Sequence, residues 1–168
     1  MRWITRRNAH VDRTSCPWLI RKFIDPQAEF VFVESTADLS KLDGHTFDMR
    51  GAEYGHEGEQ CTFQVMVDRH ALSDDAGLVE MGRIIRDADV PPGRTRRHEA
   101  GGLDALIRGF QLSVPDDHEK LLLTRPLYDA LYAYCQAKVA EARRSQGTPR
   151  PRLRYKQRVS SHLEHDTD

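Results

Sequence analysis

The chain has 168 residues, 39% of them hydrophobic and 30% charged, with a formal net charge of -1. That length supports one domain with its own core, the near-neutral charge gives no overall pull toward nucleic acid, and no apolar run approaches the ~20 residues a membrane helix needs. Three widely spaced cysteines, with no apolar segment at the N-terminus, argue against a disulfide framework or a secretory signal and for a reducing, cytoplasmic setting.

Taken in order, Trp3-Ile4-Thr5 reads as the first strand. Thr14 to Asp25 reads as the first helix, with Ser15 or Cys16 as cap and Pro17 in the first turn, where its missing N–H has no partner to lose. Trp18, Leu19, Ile20, Phe23 and Ile24 give that helix its apolar surface, and Asp25-Pro26 ends it. Glu29 to Val33 is rich in β-branched and aromatic residues and reads as strand two. A helix between two strands favours parallel pairing. Ser35 to Leu42 reads as a short helix and His45 to Met49 as strand three. Gly51, Gly55 and Gly58 then mark a long loop carrying acids and a histidine, a composition typical of functional loops.

Helices follow. Thr62 to His70 is one; a second is capped by Ser73-Asp74 and aligns Leu78, Met81, Ile85 and Ala88 on one face. Residues 89 to 97 read as a loop, and Glu99 to Leu112 as a helix with Leu103, Leu106, Ile107 and Phe110 inward. Asp116 or Asp117 caps a short helical turn that Pro126 interrupts, and Thr124 caps a last long helix burying Leu127, Leu131, Tyr134, Cys135 and Val139. The expected fold is α+β (or α/β), a small N-terminal sheet of about three strands with a mostly helical C-terminal half. Residues 1–144 form the single domain. Residues 145–168 form a basic tail with no apolar period, in which Arg143 to Arg158 supplies seven basic residues and no acid.

The densest chemistry lies near the first helix, where His10, Asp12, Arg13 and Cys16 fall within seven residues. Imidazole and carboxylate ligands suit a divalent metal such as zinc, iron or manganese. His10 and Asp12 point the same way in an extended segment, Asp48 ends a neighbouring strand, and Glu53 and His56 lie on the glycine-rich loop. These five form the candidate metal set. The plainer alternative has Asp12 capping the helix, His10 bonding a backbone carbonyl and the loop merely solvated. Cys16 and Arg13 are the candidate reactive pair. A helix N-terminus and a nearby guanidinium stabilise a thiolate, and Arg13 can also meet an oxyanion, but a cysteine beside Pro-Trp-Leu-Ile equally suits the core. Cys61 is expected to be more exposed than Cys16. Cys135 reads as packing, Arg21 and Lys22 as solvent-facing or ion-paired, and Asp116 to Glu119 as capping or a further ligand set. Tyr128 and Tyr132, one turn apart, read as packing aromatics. No Gly-rich phosphate cradle is present, so no nucleotide cofactor is expected, and the basic tail is the one route to nucleic acid. The sequence is compatible with a homo-oligomer.

Three blocks carry a resemblance. The first is HVDRTSCPWLIRKFID, from His10 to Asp25. The second joins Phe47-Asp48, Gly55-His56 and Cys61-Thr62-Phe63. The third is Asp116 to Glu119 followed by Pro126 to Tyr132. Together they span roughly residues 2 to 136 and resemble the chromate-resistance domain family, which includes the C-terminal domain of the regulator encoded with bacterial chromate-efflux pumps. The resemblance implies a bacterial cytoplasmic protein tied to chromate or oxyanion stress. It also implies that the DNA-binding region preceding the domain in that regulator is absent here, because the signature starts at residue 2. It supplies no reaction, so two readings stand: a metal-dependent protein aiding chromate reduction or detoxification, and a non-catalytic sensor for chromate or a metal.

Overall fold

A computed structural model describes residues 1–90 and 97–147. Its sheet is small and wholly parallel, with strand order β2-β1-β3: β1 is Arg2–Arg6, β2 Glu29–Val33 and β3 His45–Thr46. The central strand buries Trp3, Ile4 and Thr5 in succession, as a strand covered on both faces must. Trp3 pairs with Phe30 on one side and His45 on the other. Gly44, just before β3, holds φ at +146°, and a side chain there would meet the Arg2 carbonyl oxygen at 2.8 Å.

The first helix, α1, is Val11–Leu19 and is prolonged by a π-helical turn, Ile20–Ile24. It starts three residues earlier than the sequence suggests, with His10 rather than Ser15 or Cys16 at the cap. Pro17 therefore lies inside the helix, where it removes a donor and crowds the carbonyl four residues back. The wider turn follows at once, and Asp25 N–H donates to the Ile20 carbonyl to close it. Strand three also differs from expectation. It ends at Thr46, Phe47 makes an isolated bridge to Tyr54, and Asp48 turns to φ +47°. The short helix expected over Ser35 to Leu42 is a single 3₁₀ turn, Leu39–Lys41, capped by Asp38.

Four more helices complete an α+β domain: α2 Thr62–Arg69, α3 Ala76–Asp89, α4 His98–Ser113 and α5 Asp117–Gly147. The buried side of α3 carries Leu78, Met81, Ile84, Ile85 and Ala88, and it packs against α1, α2, α4 and α5. Its cap is Asp75, not Ser73 or Asp74; the Asp75 Oδ1 accepts from the N–H groups of Gly77 and Leu78 at 2.9 and 3.0 Å. Gly77 lets α5 approach, since a side chain there would meet the Gln136 Cγ at 2.7 Å. Two helix faces are less buried than their periodicity suggests, for Leu106 and Tyr134 both lie exposed. Asp116 caps α5, accepting from Glu119 N–H at 2.8 Å. Pro126 does not interrupt α5, which runs 31 residues without a break. The carbonyl that the proline deprives of a donor is that of Leu122, an exposed residue, so water can replace the bond.

Tyr128 is fully buried, and Tyr132 joins Trp18 and Phe23 in an edge-to-face aromatic cluster. Lys22 pairs with Asp129 at 2.6 Å, while Arg21 lies over the Phe30 ring. The last helix passes the expected domain boundary by three residues. Most of the basic tail, from residue 148 on, and residues 91–96 of the expected loop lie outside the described residues.

Candidate metal centre

Asp12 is the second residue of α1, where the helix dipole favours an acid. Its carboxylate also meets the start of α2: Thr62 N–H donates to Asp12 Oδ2 at 2.7 Å. The left-handed turn at Asp48 swings that side chain away from the strand. Thr62 Oγ1 then donates to Asp48 Oδ1 at 2.9 Å and Arg13 Nη1 to Asp48 Oδ2 at 2.8 Å. Asp89 ends α3, where its Oδ1 accepts from the Asp12 N–H at 3.3 Å. His56 reaches in from the glycine-rich loop. Its Nε2 lies 3.1 Å from Asp12 Oδ2, 3.4 Å from Asp48 Oδ1 and 3.4 Å from Asp89 Oδ2.

One imidazole nitrogen thus faces three carboxylates. Those hydrogen bonds, from Asp12 first, then Asp48 and Asp89, push the His56 pKa up to about 12, so the ring carries a proton at neutral pH. Burial pushes the Asp12 pKa up as well, to about 6, which for an acid disfavours the charge, with the Asp89 and Asp48 charges adding to the rise and the His56 bond opposing it. Burial also opposes ionisation of Asp89, but bonds from His10, His56 and the Asp12 N–H outweigh it and hold that carboxyl below the usual range.

The four groups fit a metal ion. Ligand atoms from Asp12, Asp48, His56 and Asp89 all lie within 4.8 Å of one another. A tetrahedral ion with bonds of 2.0–2.1 Å sets its ligand atoms roughly 3.3 Å apart, close to the 3.1–3.4 Å separations around His56 Nε2. Asp12 supplies an independent sign. Its side chain is fully buried, yet Oδ1 has no hydrogen-bond partner. Such an atom is costly to leave unmatched, and a cation would match it. Three carboxylate oxygens and an imidazole nitrogen suit zinc, iron or manganese.

Of the five candidate ligands read from the sequence, the structure brings Asp12, Asp48 and His56 together. His10 stands beside them, its Nδ1 3.5 Å from Asp89 Oδ1 and its Nε2 3.1 Å from Asp104 Oδ1. Glu53 lies apart and pairs with His45 Nδ1 at 2.8 Å. His118 packs edge-on against Phe32, so the Asp116 to Glu119 run adds no ligand. Sequence reasoning missed Asp89. A signal for it existed: an acid at a helix C-terminus opposes the dipole, and Asp89 is four residues past Ile85 on the buried stripe. Asp104 carried no comparable signal.

Cys16 and Cys61 are both fully buried and free, so the expected difference in their exposure is absent. Burial pushes the Cys16 thiol well up, and the Asp12 and Asp48 charges add to it. The same two causes, burial first and then Asp12, raise Cys61. Burial therefore overrides the helix-dipole effect that would favour a Cys16 thiolate. Cys135 is buried within the core, as its helix face predicts.

An open cleft of about 380 Å³ lies over the centre, lined by Arg6, His10, Arg13, Arg108 and Gln111 together with Asp48, His56 and Asp89. Among the described residues no helix is long and apolar enough to cross a membrane. Residues 3–135 match the family described as the C-terminal domain of ChrB. Protein ChrB of Cupriavidus metallidurans is 36% identical over 132 residues, covering 79% of this chain but 40% of that protein. The chain thus aligns with less than half of that relative. No solved structure gives a significant match. A family match over most of the chain places this protein in the ChrB C-terminal domain family of chromate resistance.

Proposed function

We propose that this domain is a divalent-metal-binding module that serves chromate resistance by binding rather than by thiol reduction. The observation that carries the reading is the orphaned Asp12 Oδ1 at the floor of a cluster whose other acids converge on one His56 nitrogen. The ligands would be Asp12, Asp48, His56 and Asp89, with zinc, iron or manganese as the ion. The buried, high-pKa thiols of Cys16 and Cys61 favour a sensing or carrying role over electron donation to chromate. The three free cysteines suit work in the cytoplasm.

The test is metal uptake by chelator-stripped protein. One divalent ion per chain should bind, raise the unfolding temperature, and be lost in Asp89→Asn. Saturation at 100 times the dissociation constant should add about 2.7 kcal/mol of stability. A stripped protein that takes up no ion, or an Asp89→Asn variant that binds as well as the parent, would sink the proposal.

A further inference from the structure

We infer that the cleft holds a tetrahedral dianion directly over the metal centre, gripped by the free edge of Arg13 and by Arg6. The inference rests on the metal reading above and adds a second ligand to it. Arg13 is the key residue. Its guanidinium uses Nη1 for Asp48, and among the described residues that bond at 2.8 Å is its only short one. The opposite edge, formed by Nε and Nη2, is nearly unspent. Nε is buried without a partner, and Nη2 makes a long 3.4 Å contact with the Asn8 carbonyl. An Nε–Nη2 edge is the fork with which arginine takes two oxygens of one oxyanion. Buried donors are rarely left open. Here an open donor and the open acceptor of Asp12 border the same cluster, a pairing that suits an anion and a cation bound together.

Charge gives the order of binding. Among the described residues, the carboxylates of the centre, Asp12, Asp48 and Asp89, face the guanidinium groups of Arg13 and Arg6. Without metal those acids repel an anion. A divalent ion held by the three acids offsets that repulsion and leaves the two arginines to meet the anion. Arg108 on the outer wall adds little, because its Nε donates to Asp104 at 2.9 Å. A volume of about 380 Å³ is ample for a tetraoxyanion, since one water occupies about 30 Å³. The ligand class is therefore chromate, sulfate or phosphate, bound after the metal and reinforcing it, since coupling between two ligands is reciprocal.

The experiment is a calorimetric titration of the stripped full chain with zinc or manganese chloride. It is run alone and then in millimolar sodium chromate, sulfate, phosphate or nitrate at matched ionic strength. At least one of the three dianions should tighten metal binding by roughly 10-fold or more, the worth of a bidentate charged contact, and nitrate should not. The tightening should fall toward one in Arg13→Lys, which keeps the charge beside Asp48 but loses the fork, and should be reduced in Arg6→Ala, which touches no ligand of the metal. Metal binding that is indifferent to all three dianions overturns this inference and leaves the metal reading standing. Equal tightening by nitrate, or unchanged tightening in both variants, overturns it as well. Absence of any metal binding removes both readings together.

Discussion

Two buried carboxylates in this domain meet opposite fates. Asp117 is almost fully buried, and every bond it needs comes from the chain: Ala9 N–H and Lys120 Nζ to Oδ1, and Asn8 N–H to Oδ2, each at 2.8 Å. Burial works against its charge, but the Lys120 bond and the two backbone N–H groups hold its pKa below the ordinary value. Asp12 is buried at least as deeply, keeps one oxygen unmatched, and is pushed up to about 6. A buried charge meant for the fold is neutralised from within, while one meant for a ligand is left short of a cation. Asp117 serves the site indirectly, since the Asn8-Ala9 turn it pins, with Asn8 at φ +59°, delivers His10 and Asp12 to the start of α1.

The comparison can be broken with one chemical change made twice. Asp117→Asn should cost about 3–5 kcal/mol in denaturant unfolding, because it strands a Lys120 that is 1% exposed. Asp12→Asn in metal-free protein at pH 7 should hold stability or raise it by up to about 2 kcal/mol, because it removes a charge the fold disfavours. If both variants lose stability alike, the two acids do the same job and the distinction fails.

A smaller effect sharpens the electrostatic side. The unfolded chain releases the His56 proton near the ordinary histidine value of 6.5, whereas the folded domain holds it to about 12. The raised folded pKa means stability that is fully present below 6.5 and lost as pH rises toward 12. Metal-free protein should therefore weaken between pH 7 and 9, by less than the ~1.4 kcal/mol per unit limit because His56 is 41% exposed. His56→Gln should flatten that slope. Equal slopes in parent and variant would show that the three acids do not grip the ring.

The smallest expected signal is a null one. A thiol reagent at pH 7.5 should label neither Cys16 nor Cys61 in native protein and both after unfolding. Labelling of native Cys16 at the rate of a free thiol would return it to the list of reactive groups.

Much of this was legible in the sequence because it is local. The strand cores Trp3-Ile4-Thr5 and Glu29 to Val33 and the apolar stripe of α3 are set by period and β-branching, and they hold in the structure. So does the convergence of Asp12, Asp48 and His56, which follows from placing chain segments at one edge of a parallel sheet. What was not legible depends on tertiary context. Pro126 reads as a break, yet α5 continues because the bereft carbonyl lies at the surface. Cys16 reads as activated by its helix, yet the packing around it removes the water that a thiolate needs. Asp89 and Asp104 lie 77 and 92 residues beyond Asp12, and only the packing of α3 and α4 on α1 brings them near.

The contrast between a sealed Asp12 and a half-exposed His56 also sets a time scale. Asp12 has no solvent contact, and His56 Nε2 lies within 3.1–3.4 Å of all three acids, so an ion entering from the cleft reaches the floor of the centre only by displacing that ring and its loop. That loop is tethered from beneath: Arg69 donates to the Glu53 carbonyl at 2.8 Å and Arg86 to the Glu59 carbonyl at 2.8 Å. Exchange of the ion would then be paced by loop opening, a motion of microseconds to milliseconds or slower, and not by diffusion to the surface. A centre of that kind loads and empties slowly relative to encounter, so its occupancy would report metal and oxyanion levels averaged over time rather than their momentary values.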